Sequence, residues 1–157
     1  MTRRIPILNL KKLFDVQKEL DQFITNKYNE EPSELFKDKI LKFIIKISEL
    51  ANEVQSNKYK DGIPCSLLKA YITGFHDLLS LGLNRGAHTG FLFLKYKLVT
   101  KGQQDHFLDI YTNIMNLNDQ PSIINYIELF TSYIQLGQLL HLEANEIEKV
   151  YLDTYVP

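Results

Sequence analysis

At 157 residues the chain fits one domain and is long enough to bury a real core. Its composition, 45% hydrophobic and 24% charged, is that of an ordinary globular protein, and a formal net charge of -1 offers no basic excess for nucleic acid and no polybasic segment for a membrane surface. The single cysteine, Cys65, excludes an internal disulfide and suits a reducing compartment.

The apolar stretch after Arg3 and Arg4 is broken by Pro6 and Asn9, too short for a signal peptide's apolar region. Leu10, Leu13, Phe14, Leu20, Phe23 and Ile24 then fall at helical spacing and predict a first helix from about Asn9 to Tyr28. Asn29 to Pro32 is a break, and Pro32 or Ser33 can start the next helix. Phe36, Ile40, Phe43, Ile47, Leu50, Ala51 and Val54 form its stripe, widened by Leu41 and Ile44, so this helix is expected to be buried on more than one side. Asp61-Gly62 and Pro64 mark a short loop. A third helix is expected over about Ser66 to Leu81, with Leu68, Tyr71, Ile72, Phe75 and Leu79 on one face. Gly82 to Gly90 carries three glycines and reads as a loop, and Phe91 to Val99 as either extended or a helical turn. A fourth helix covers roughly Gln104 to Leu117, through Phe107, Leu108, Tyr111 and Met115. Asn118 to Pro121 breaks it, a fifth runs from near Ser122 to His141, and a short last one holds Ile147, Val150 and Tyr151. No apolar run approaches the ~20 residues of a membrane helix. The pattern is one all-α domain over residues 1–157, with no repeat and no linker, and a cytoplasmic location is expected.

Three sets of polar residues stand where core-facing residues belong. Gln17 lies between Leu13 and Leu20 on the first stripe. A buried amide needs partners, either backbone and water or a ligand's polar edge. Lys42, Lys46, Glu49 and Glu53 follow at spacings of four, three and four and form one ridge of the second helix. That ridge is either a solvated face with a Lys46–Glu49 ion pair or, through Glu49 and Glu53, part of a divalent-cation site. Thr73, His76 and Ser80 share a face of the third helix, and Asp77 is displaced by one position, about 100° around the axis. No Ser/His/Asp arrangement, zinc spacing or phosphate loop is present.

Four blocks in order carry a resemblance. Leu13-Phe14-Asp15-Val16-Gln17-Lys18-Glu19-Leu20-Asp21, Ser48-Glu49-Leu50-Ala51-Asn52-Glu53-Val54, Gly74-Phe75-His76-Asp77-Leu78-Leu79-Ser80-Leu81-Gly82 and Glu146 to Leu152 span nearly the whole chain. Together they resemble the dimeric, all-α dUTPase family of the all-α NTP pyrophosphohydrolase superfamily. The resemblance implies that family's helical bundle, a homodimer, and cleavage of dUTP to dUMP by two Mg²⁺ ions. Those ions are held by a Glu-x-x-Glu pair on one helix and a Glu-x-x-Asp pair on the next. Attack of water on a polyphosphate builds negative charge, which clustered cations neutralise.

Against that pattern the first Glu is Lys46, the second survives as Glu49, and a further carboxylate survives as Glu53. The second pair has become Ala70 and Thr73. The aromatic-basic stretch survives only as Lys58-Tyr59, with Lys60 where Trp is common, and Thr154-Tyr155 replace a Lys-Asn. Gln17 and His76 match positions that lie near the uracil in the family. The resemblance therefore implies a degenerate member, impaired or inactive, that binds a nucleotide or acts in regulation, with a possible protein partner and no bound cofactor. The alternatives are a working Mg²⁺-dependent dUTP or dNTP diphosphatase using Glu49, Glu53 and Asp77, and a structural or protein-interaction module.

Overall fold

A computed structural model describes residues 7–28, 32–59, 61–97 and 101–156. Six helices carry the fold: α1 (Leu10–Tyr28), α2 (Pro32–Ser56), α3 (Cys65–Asn84), α4 (Gln103–Asp119), α5 (Ile123–Leu139) and α6 (Ala144–Tyr155). A short 3₁₀ turn, Ala87–Thr89, follows α3. Two three-residue strands, β1 (Ile7–Asn9) and β2 (Phe93–Lys95), pair antiparallel with Leu8 opposite Leu94. Leu8 and Leu94 are buried while Asn9, Phe93 and Lys95 face out, the period-two pattern that pins such a pair in register. The fold is therefore all-α with a two-stranded clasp, and Phe91 to Val99 resolves to the extended alternative as far as Lys97.

The helix ends follow local chemistry. The Asn9 side chain accepts the Lys11 amide at 3.1 Å, and Ser122 accepts the Asn125 amide at 3.1 Å as an N-cap. Pro32 occupies the first position of α2, where its missing N–H costs nothing. Gly62 takes a left-handed φ of 81° in the loop before α3.

Helix α3 is central, packing on α1, α2, α5 and α6, while α4 and α5 form an antiparallel pair beside it. Its course corrects the sequence reading: it continues through Gly82 to Asn84, so only the segment after it is a loop. Gly82 is buried because the Tyr126 hydroxyl, donating to the Leu78 carbonyl at 2.8 Å, lies where a Cβ would be. The same device recurs at Gly74, beneath the Tyr133 hydroxyl, and at Gly137 on α5, beneath the Tyr71 hydroxyl. Tyr71 and Tyr133 each donate to the other's backbone carbonyl, at 2.9 and 2.5 Å, and their rings stack at 4.6 Å.

Some residues assigned to apolar stripes face out instead. Phe23 is 75% exposed, and Leu41, Leu108, Met115 and Ile124 are also exposed. The break at residues 29–31 and Lys60 lie outside the described residues.

Candidate functional site

Helices α2 and α3 run antiparallel along a seam that three contacts fix in register. At one end the Lys39 ammonium donates to the Ser80 hydroxyl. In the middle, Lys46 Cβ lies 3.7 Å from where a Cβ on Gly74 would stand. At the other end the Ser66 hydroxyl donates to Glu53 at 2.9 Å. Lys39, Lys42, Lys46, Glu49 and Glu53 thus follow one another along the α2 side. Ser80, Asp77, Thr73, Ala70 and Ser66 descend the α3 side opposite them.

The seam brings together the positions that the sequence marks for metal binding. The chemistry there is different. Lys46 pairs with Glu49 at 3.3 Å, an i, i+3 bridge with both groups partly exposed. Glu53 is engaged by Ser66 and, at 3.4 Å, by the Asn57 amide. Thr73 donates its hydroxyl to the Lys69 and Ala70 carbonyls of its own helix, both at 3.0 Å, and Ala70 has no donor atom to offer. Among the described residues no group of three or more His, Cys, Asp or Glu side chains is placed to hold a metal. Mg²⁺ requires several oxygens about one point, and this donor set does not fit a pair of such ions.

Asp77 corrects the expectation that it points off the seam. Residues 70, 73, 77 and 80 lie at spacings of three, four and three, one continuous ridge, and Asp77 feels Lys46, Lys42 and Lys39 of α2. Burial nevertheless raises its pKa above the usual value, outweighing those three cations.

From the Ser80 end of the seam a chain of hydrogen bonds joins four helices. The Tyr151 hydroxyl of α6 donates to Gln17 Oε1 at 2.8 Å, and Gln17 Nε2 donates to Asp21 at 2.8 Å. Ser80 donates to the second Asp21 oxygen at 2.8 Å, and Lys39 of α2 donates to Ser80. Gln17 is fully buried. Among the described residues the partners of its amide are the Tyr151 hydroxyl and the Asp21 carboxylate, two side chains that the sequence reading did not name as its partners.

His76 sits beside this chain. Its ring stacks on Tyr155 of α6, centroids 4.5 Å apart and planes within 14°. Its Nδ1 is buried and has no hydrogen-bond partner among the described residues. Burial lowers its pKa, Lys39 and Lys46 lower it further, and Asp21 opposes them. Asp21 thus links the two sites, hydrogen-bonded to Gln17 and acting electrostatically on His76, while α6 holds Gln17 through Tyr151 and His76 through Tyr155.

Lys58 does not join this junction. It is exposed, lies 5.7 Å from the Tyr59 ring centre, and borders a groove of about 640 Å³ between α2 and α4 with Gln55, Gln103 and Asp105. Sequence reasoning missed Asp21, Lys39 and the roles of Tyr151 and Tyr155. Asp21 carried a usable signal, one helical turn after Gln17. The others required the packing of α2 and α6 on α3.

A family model described as dUTPase matches residues 9–155. No curated protein and no solved structure matches the chain.

Proposed function

This chain belongs to the dUTPase family, and from that premise we propose that it binds a uracil nucleotide while its hydrolysis of dUTP is impaired or lost. The observation that carries this reading is the α2–α3 seam: a Lys46–Glu49 ion pair faces Ala70 and Thr73. An ammonium built into the chain neutralises the surviving carboxylate without Mg²⁺, but it cannot offer a coordination position to an attacking water. Support for nucleotide binding comes from the base side, where Asp21 links Gln17 to His76 and the buried Nδ1 of His76 has no hydrogen-bond partner among the described residues, leaving it able to bind a ligand's polar edge. A base reaching the Gln17 oxygen has to displace the Tyr151 hydroxyl that donates to it. The protein is proposed to act in the cytoplasm as a homodimer in a binding or regulatory role. No helix among the described residues is long and apolar enough to cross a membrane.

The second reading is a working Mg²⁺-dependent diphosphatase using Glu49, Glu53 and Asp77. Asp77 stands on the seam but across from Lys42, well along α3 from the Ser66 that holds Glu53, so this reading requires the seam to rearrange around the ions. Pyrophosphate release from dUTP with Mg²⁺, at protein concentrations that reveal slow turnover, separates the two. The expected result is no turnover together with a rise in melting temperature on adding dUMP or dUTP. Turnover abolished by Glu49→Gln would establish the second reading, and neither signal would leave an interaction module.

A further inference from the structure

The seam that carries the altered metal positions also carries three cations. Lys39, Lys42 and Lys46 are spaced by three and four and form one ridge of α2. Lys39 is anchored on Ser80 and Lys46 lies against Gly74, so Lys42 stands between them, across from Asp77. Lys46 has an ion-pair partner in Glu49, while the partner of Lys39 among the described residues is a hydroxyl. Lys42 is exposed and has no ion pair or side-chain hydrogen bond among the described residues.

We propose that the Lys39–Lys42–Lys46 ridge is a metal-independent binding site for the phosphate groups of a small phosphorylated ligand. This rests on the reading of the protein as a nucleotide binder, for which the ridge supplies the phosphate side, adjacent along α3 to the His76 junction. Lysine binds phosphate as a point charge and needs no fixed fork geometry, so Lys42 can take a phosphate directly while Lys39 and Lys46, on either side of it, add their charge from the positions Ser80 and Glu49 hold them in. The groups that oppose them are Asp21 from α1, Asp77 and the neutral-leaning His76 from α3, and Glu49 from α2 itself. Asp21 is already tied to Gln17 and Ser80, and Glu49 to Lys46, which leaves Lys42 as the ammonium most available to a ligand.

A site of this kind responds to charge in the opposite sense from a metal site. Carboxylates compete with the bound anion here, whereas in a metal site they hold the cation on which the anion depends.

The test is a thermal-shift titration of the full chain with inorganic pyrophosphate in EDTA, repeated with Mg²⁺, and with deoxyuridine as a separate probe. Pyrophosphate in EDTA is expected to raise the melting temperature, by roughly 5–10 °C at about a hundredfold excess over Kd. Lys42→Gln should remove most of that rise, and Lys149→Gln, an exposed change on α6, should leave it intact. Asp77→Asn should preserve or enlarge it. No rise in EDTA, a rise that appears only with Mg²⁺, or one indifferent to Lys42→Gln overturns the ridge. Deoxyuridine reports on the base junction alone: a pyrophosphate response without a deoxyuridine response keeps the ridge and refutes the uracil reading. The reverse refutes the ridge and keeps the uracil reading.

Discussion

His76 and Asp77 are chain neighbours whose surroundings both favour the uncharged form, and the consequences for stability run in opposite directions with pH. Burial raises the Asp77 pKa above its ordinary 3.8. The folded state therefore holds this proton more tightly than the unfolded one. The resulting stability is fully present below pH 3.8 and is lost as pH rises through the folded pKa. His76 is lowered from 6.5, chiefly by burial, so the unfolded state binds its proton first. Its contribution is present above pH 6.5 and is lost as pH falls through the folded pKa. Asp77→Asn is accordingly expected to melt higher than the parent at pH 7, with the difference shrinking toward pH 3.8. His76→Gln should flatten the decline of stability on acidification below pH 6.5. Melting temperatures of the three proteins across pH check both. An Asp77→Asn variant that melts lower than the parent at neutral pH would mean that the lysine attractions outweigh burial after all.

At the scale of elements, α3 is held by tyrosines whose hydroxyls reach into its backbone and need glycine beneath them. A Cβ on Gly74 would collide with the Tyr133 hydroxyl and stand 3.2 Å from Cζ, so most of the conflict is with the oxygen. Gly74→Ala alone is expected to cost about 1–3 kcal/mol by overpacking. In a Tyr133→Phe background that oxygen is gone, and the same alanine should cost less, a coupling of about 0.5–3 kcal/mol in a double-mutant cycle by denaturant unfolding. Gly82 is the contrasting case: there the Tyr126 ring carbons themselves crowd the position, at 2.8 Å for Cε1, so Tyr126→Phe gives no comparable relief. Strict additivity at Gly74 and Tyr133 would show that α3 moves aside instead. These contacts also mark the limit of what the sequence could disclose. Apolar periodicity located all six helices, because burial at i, i+3 and i+4 is a local signal. Gly82 read as the start of a loop because the ring that requires it, Tyr126, comes from α5, far away in the chain. The seam residues Lys46, Glu49, Ala70 and Thr73 were legible through ordered resemblance. Asp77 was misjudged because its face was measured against His76 when the ridge that matters starts at Ala70. Lys39 offered no signal before α2 was placed on α3, and Tyr155, noted in the sequence only as a replacement, shows its stacking on His76 once α6 is in place.

At the scale of the whole molecule, the outward apolar residues need an explanation that a single copy does not provide. Leu41 and Ile45 of α2 are 58% and 54% exposed, and Leu108 and Met115 of α4 are also exposed. The two helices are joined between these residues by the Ser48–Tyr111 hydrogen bond at 2.7 Å, which places the four on neighbouring ridges. Their exposure also accounts for the breadth of the α2 stripe, since a helix apolar on more than one side must cover the second side with something. A second copy of the chain is the proposed cover, and Ile45→Glu tests it. Within one copy the substitution sits on a surface and should change stability little, within about 0.5 kcal/mol. Within a dimer it would place a carboxylate in an apolar interface. Sedimentation is expected to show a dimer for the parent and a monomer for Ile45→Glu, with the helical circular-dichroism signal unchanged. The melting temperature of the parent alone should rise with protein concentration, since association stabilises by mass action. A monomeric parent, or a variant that still sediments as a dimer, would leave the α2–α4 face free for a different partner and remove the homodimer from the proposal.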